Sequence, residues 1–228
     1  MARKGEPPSY IKALTPEIVS AVIPEAYPLF VYESKHWSSG FPIPENSNRS
    51  TGRYDDWVYD LARTKKGTTL AFAGRMGSGK DHACDYCISK IGGEKVHVFD
   101  AGLMRATKFL GRPIEKPRDR PFLQAIGDLG RRLDANFWVR DAIEKIVAPM
   151  WSRGVNVFIT GVRFPTEIEA LAGLGVRTVL IRRPRILTGS PMERHRSETA
   201  LDEYRDCPEI LNDSTIAAFE DRVSTFLP

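Results

Sequence analysis

The chain has no apolar run long enough to span a bilayer as a helix, so a membrane-embedded role is not expected. It has only three cysteines, Cys84, Cys87 and Cys207, too few for a disulfide framework. Its opening residues, Met1-Ala2-Arg3-Lys4-Gly5-Glu6-Pro7-Pro8, lack the apolar core of a secretory signal, and a cytoplasmic location is expected. Internal repeats and low-complexity tracts are missing, which excludes a solenoid or an array. A strong charge excess is missing too. The net charge of +4 is small for a dedicated nucleic-acid binder, although it suits phosphorylated ligands if the cations cluster. What remains is a globular composition, 42% hydrophobic and 27% charged, in 228 residues. That length accommodates one α/β domain and an appendage.

The appendage is residues 1–67. It holds seven of the 16 prolines and is rich in aromatic residues, among them Tyr10, Tyr27, Phe30, Tyr32, Trp37 and Phe41. A disordered tail is poor in aromatics, so an irregular extension packed on the main domain is expected. Helical spacing is confined to Pro16–Val22 and Asp55–Ala62, and residues 38–52 read as a mobile loop. The sequon Asn48-Arg49-Ser50 is discounted without a secretion signal. Nine Lys and Arg stand against eight Asp and Glu here, which argues against a nucleic-acid-tracking surface.

Residues 68–228 alternate strand and helix. The candidate strands are 68–73, 95–99, 155–160, 176–181 and 209–212. The helical stretches are 81–91, 120–147, 165–174, 197–204 and 214–227. This alternation predicts an α/β fold with a parallel sheet of about five strands covered by helices on both faces. Between the first strand and its helix lies Gly74-Arg75-Met76-Gly77-Ser78-Gly79-Lys80-Asp81. The spacing G-x-x-x-x-G-K in a strand–turn–helix context predicts a phosphate-binding loop of the P-loop NTPase type. The glycines let backbone N–H groups face an anion, the helix adds its positive end, and Lys80 adds a mobile charge. Asp81 stands where Ser or Thr is usual.

Ligands of such sheets bind beyond the carboxyl ends of the strands. Cations recur there. The segment after the second strand starts at Asp100 and carries Arg105, Lys108, Arg112, Lys116, Arg118 and Arg120. Arg163 follows the third strand, and Arg182, Arg183 and Arg185 follow the fourth, with Arg194-His195-Arg196-Ser197-Glu198 beyond. Two anionic ligands facing each other need such a surround. Phosphoryl transfer to a monophosphate asks mainly for positioning and charge neutralisation, because the acceptor oxygen is already ionised.

The loop with Asp after its lysine resembles that of the bacteriophage deoxynucleoside monophosphate kinases. Arg120-Pro121-Phe122-Leu123-Gln124-Ala125-Ile126-Gly127, followed by Trp138, is similar to that family's "R-x-L-L-Q-x-x-G … W" helix. Val162-Arg163-Phe164-Pro165-Thr166-Glu167 resembles its "V-R-F-x-N-E" turn, His195–Glu198 its "H-x-S-E" piece, and Ile210-Leu211-Asn212 its "I-x-N" strand. The resemblance covers about residues 68–228. It implies transfer of the γ-phosphoryl group of ATP, with Mg²⁺, to a deoxynucleoside monophosphate, in the host cytoplasm if phage-encoded. Gly74 to Asp81 would bind ATP, with Lys80, Arg163, Arg182, Arg183 and Arg185 acting on the transferred group. Asp100, Arg105, Arg120, Gln124 and Trp138 would lie on the acceptor side, although a core position is the plainer reading of Trp138. The family's aspartate before "V-R-F" is Gly161 here, so Asp81 or Asp100 would take Mg²⁺.

Cys84-Asp85-Tyr86-Cys87 reads as one buried helical face rather than a metal or redox pair. Glu167 and Glu198 read as partners that orient arginines. His195 is either a ligand contact or a helix start. Two other readings stay open: a kinase for another small acceptor, and a nucleotide-binding module without efficient catalysis. The sequence also leaves a homodimer open.

Overall fold

The computed structural model describes residues 9–36, 63, 65–115, 118–184 and 195–228. The expected loop at 38–52, the Asn48 sequon, the helix at Asp55–Ala62, and Lys116, Arg185 and Arg194 lie outside the described residues.

Five strands form one sheet: β1 (Thr69–Ala73), β2 (Glu94–His97), β3 (Val157–Val162), β4 (Arg177–Arg182) and β5 (Glu209–Leu211). Their order is β2-β3-β1-β4-β5 and every pairing is parallel. β1 and β3 are buried along their whole length, which is why they read as continuous apolar runs. Helices surround the sheet. On one face, Leu70, Phe72, Phe158, Val179, Ile181 and Ile210 pack against Ala83, Cys84 and Cys87 of the helix Lys80–Ile91 and against Phe219 and Val223 of Ile216–Ser224. Side chains alternate along a strand, so Thr69 belongs to the opposite face. There its hydroxyl accepts from the indole N–H of Trp151 at 2.8 Å. The expected α/β fold with a five-stranded parallel sheet and helices around it is what forms. β1 is central, and the chain reverses direction across it between β3 and β4, making its carboxyl end the switch point where such sheets take ligands.

The chain divides into two compact units, Met1–Arg53 with Phe99–Arg140, and Tyr54–Val98 with Asp141–Pro228. The sheet belongs to the second. The first groups the segment after β2 with the N-terminal residues, a division that differs from a boundary at residue 67. In it the helices Ser9–Ala13 and Pro16–Val22 lie against Arg120–Leu133 and Asp100–Leu110 respectively. Leu14, Val19, Val22, Ile23, Ala26 and Phe30 are buried.

Three expectations need correcting. Residues 9–36 are not irregular: besides Pro16–Val22, a helix runs over Tyr27–His36. Residues 105–110, read only for their charge, belong to a helix, Asp100–Leu110, that ends on left-handed Gly111. The long helix read over 120–147 stops at Leu133. The Asp134 carboxylate accepts from Asn136 N–H at 2.8 Å and the Asp134 carbonyl from Phe137 N–H at 2.9 Å. This local turn competes with the helix while the apolar spacing runs on through it.

Candidate functional site

β1 ends at Ala73 and the helix Lys80–Ile91 begins seven residues later, so the glycine-rich loop sits at the central carboxyl edge of the sheet. Gly74 N–H reaches the Val162 carbonyl at 3.4 Å. Gly79 has φ +110° and gives the loop its last turn before the helix. A Cβ there would lie 2.8 Å from Asn212 Nδ2, so the amide packs directly on the backbone. Asn212 donates to the Ser78 carbonyl at 2.9 Å and bonds the Arg182 carbonyl through its own N–H at 2.7 Å. The loop is thus fastened from outside by the chain beyond β5.

Lys80 is 5% exposed, and its ammonium donates to the Arg75 carbonyl across the loop at 2.5 Å. Burial, then the neighbouring Arg163 charge, lowers its pKa to about 7, against the pull of Asp81 and Glu198. Arg163 donates to the Gly74 carbonyl at 3.0 Å and to Glu198 Oε2 at 2.9 Å. The same Glu198 oxygen accepts from Met76 N–H at 2.7 Å, so one buried carboxylate ties the arginine to the loop. Glu198 therefore orients an arginine as expected. Glu167 acts differently, accepting from the backbone N–H groups of Arg163 and Phe164.

The arginines after β4 are placed unequally. Arg182 is engaged with Glu209 and with the carbonyls of Leu201, Asp202 and Tyr204. Arg183 is exposed and reaches the Gly77 carbonyl at 3.3 Å. Arg75 forks onto Asp202, its Nε donating at 2.9 Å. A cavity of about 530 Å³ opens beside the loop, lined by Gly74 to Gly77, by Leu180 to Pro184 and by Glu198, Leu201, Asp202 and Leu211.

Gly161 stands where the resembling family carries an aspartate. Ala71 pairs with Ile159 but Ala73 with Val162, so β3 carries one extra residue, a bulge. Gly161 sits in it with φ +81°, and a Cβ there would be 2.3 Å from Nε2 of His97. The His97 ring fills the place of a residue-161 side chain. The bulge precedes Arg163, whose guanidinium meets the loop. Nearby, Thr160 Oγ1 donates to Asp81 Oδ1 at 3.0 Å.

The other candidates lie in the helical unit: Asp100, Arg105, Arg120, Gln124 and Trp138. Trp138 is 1% exposed, with its N–H on the Gly127 carbonyl at 2.9 Å and its ring edge-on to Phe99 and Phe137. It is a core residue, which corrects its assignment as a substrate contact. Arg105 donates to the Val22 carbonyl at 3.3 Å and lies 3.8 Å from Glu25. Arg112 pairs with Asp119 and Arg118 with Glu115, so much of the basic run is neutralised locally. The two candidate metal ligands, Asp81 and Asp100, fall in different units. His195 caps the helix Arg196–Thr199, its ring accepting from Ser197 N–H. Cys84 and Cys87 are core residues, with burial pushing both thiols up, Cys87 to about 12.

Four positions escaped the sequence reading as site residues: Thr160, His97, Asp202 and Asn212. Only Asn212 left a trace, within the I-x-N strand.

Fold and loop together define a doubly wound α/β protein with a glycine-rich, lysine-bearing loop at its switch point. No protein-family model matches the chain. It is 44% identical over 212 residues to the uncharacterized protein ORF76 of Ictalurid herpesvirus 1 (strain Auburn), a match spanning 92% of this chain and 86% of that protein. The chain belongs to the family of that herpesvirus protein. Among the described residues, no helix is long and apolar enough to cross a membrane.

Proposed function

We propose that the chain is a phosphotransferase that moves the γ-phosphoryl group of ATP to a nucleoside monophosphate, a deoxynucleotide by the resemblance of its motifs. The observation that carries this reading is the Lys80 ammonium, buried inside the loop with Arg163 beside it. Arg163 already has Glu198 as its partner, whereas burial disfavours the charge on Lys80, and an anion beside that ammonium would restore it. A polyphosphate is the anion that such a loop suits. The adjoining cavity has the size of a small-ligand site and would take the base and sugar of the donor.

Among the described residues, no group of three or more His, Cys, Asp or Glu could hold a metal. Mg²⁺ does not need one, since it commonly takes one carboxylate and completes its shell with phosphate oxygens and water. Asp81 with the Thr160 hydroxyl is a hard-oxygen pair of that kind. When bound, the ion supplies charge neutralisation on the phosphate oxygens. Lys80 would neutralise the donor phosphates, Arg163 would face the transferred group, and Glu198 would hold Arg163 in place. Arg120 and Gln124 are the residues the resemblance assigns to the acceptor.

The His97 ring over Gly161 favours one second reading, a nucleotide-binding module without transfer. A single assay separates the two. Purified protein is given ATP, Mg²⁺ and each dNMP and NMP in turn, beside Lys80→Ala. Formation of a diphosphate from at least one acceptor, lost in Lys80→Ala, is the expected result. ATP binding with no acceptor converted overturns the kinase reading in favour of the second.

A further inference from the structure

β2 runs beside the helix Lys80–Ile91, and Lys95 of β2 donates to Asp85 Oδ1 of that helix at 2.6 Å. His97 lies two residues further along the strand and so on the same face. Asp81 lies one turn nearer the helix start than Asp85. The helix returns against the direction of the strands, so both steps lead to the carboxyl edge of the sheet. Each covers about 6 Å, which brings His97 level with Asp81 as Lys95 is level with Asp85. In agreement, the bond to Asp85 chiefly, and the Asp81 charge after it, act to raise the Lys95 pKa.

β3 completes the group. Thr160 is the register partner of His97, and its hydroxyl donates to Asp81 Oδ1 at 3.0 Å. One residue on, Nε2 of the His97 ring lies 2.3 Å from where a side chain on Gly161 would begin. A carboxylate, a hydroxyl and an imidazole from three elements therefore meet next to Lys80. Asp81 is exposed and His97 half-buried, so both can be reached from outside.

We propose that His97 supplies an imidazole nitrogen, Nε2, to the divalent ion that accompanies a polyphosphate in the loop, beside the oxygens of Asp81 and Thr160. The ligand that residue 161 lacks comes instead from the neighbouring strand. It is a nitrogen rather than an oxygen, and this sets the choice of ion. Mg²⁺ is a hard cation that takes oxygen ligands, whereas later first-row ions accept imidazole readily. The site therefore favours Co²⁺ over Mg²⁺. The proposal rests on the reading that the loop takes a polyphosphate.

Inorganic tripolyphosphate, which contains no nitrogen, is the probe. Its Mn²⁺ complex is bound to the full chain and examined by electron spin-echo spectroscopy. The expected spectrum carries the modulation of a directly bound imidazole nitrogen, and His97→Asp abolishes it. Calorimetric titration of tripolyphosphate with Co²⁺ and with Mg²⁺ gives an affinity ratio for each protein. That ratio should favour Co²⁺ about tenfold more in the unaltered chain than in His97→Asp. Melting midpoints without ligand show that the variant folds, and His97→Gln repeats the comparison if it does not. Bound Mn²⁺ tripolyphosphate without nitrogen modulation overturns the proposal and leaves the polyphosphate reading standing. Modulation that survives in the variant, or an unchanged ratio, overturns it too. Absence of tripolyphosphate binding with every ion overturns the polyphosphate reading itself, and the proposal with it.

Discussion

Lys80 shows how one buried charge links folding to ligand. Its pKa, lowered to about 7 chiefly by burial, means that the folded chain binds fewer protons than the unfolded chain between that pH and the ordinary lysine value of 10.5. Stability therefore rises with pH across this window. The cost of the charged lysine is fully present below pH 7 and fades as pH approaches 10.5. Lys80→Met should accordingly be more stable than the parent at pH 6, with the gain shrinking toward pH 10, as read from urea unfolding midpoints. A bound polyphosphate would reverse the sign by favouring the charged form. Gly161 makes the opposite point about inference from residue type. An acid at this position would restore the family pattern, but the left-handed φ and the His97 ring exclude a side chain there. Gly161→Asp should therefore destabilise the chain by about 2 kcal/mol or more, from backbone strain and overpacking together, and should not raise activity. A Gly161→Asp protein with an unchanged melting midpoint would refute this account of the bulge.

At the scale of elements, a cation first read as a ligand contact is engaged with the fold. Arg105 donates to the carbonyl of Val22, the last residue of the helix Pro16–Val22, where carbonyls lack intrahelical partners and the dipole is negative. Arg105→Met should lower stability by about 1 kcal/mol, visible as a shift of the urea midpoint. An unchanged midpoint with a raised acceptor KM would instead return Arg105 to the ligand. Asn212 and Phe219 hold the glycine loop from the side of β5 and the last helix, as Glu198 holds it from beyond β4. The loop is local in sequence, but its shape is held by chain more than a hundred residues away.

For the whole molecule, the strands, their parallel arrangement and the loop were legible because each is a short-range pattern. Buried parallel strands are continuous apolar runs, a helix repeats its apolar face every three or four residues, and a strand–glycine turn–helix needs only a dozen neighbours in the chain. The break at Asp134 was hidden because apolar spacing continues across it, and the helix Tyr27–His36 because its proline and aromatics mask a weak periodicity. The pairs that shape the site could not be read in this way. Arg75 with Asp202, Arg163 with Glu198, Asn212 with Ser78 and His97 over Gly161 each join residues with no periodic relation. Sequence alone established which residues carry charge and where backbone N–H groups can gather. Tertiary packing decided which of those charges are neutralised by partners and which are buried at the loop, because that depends on distances between segments that meet only when the sheet closes around β1.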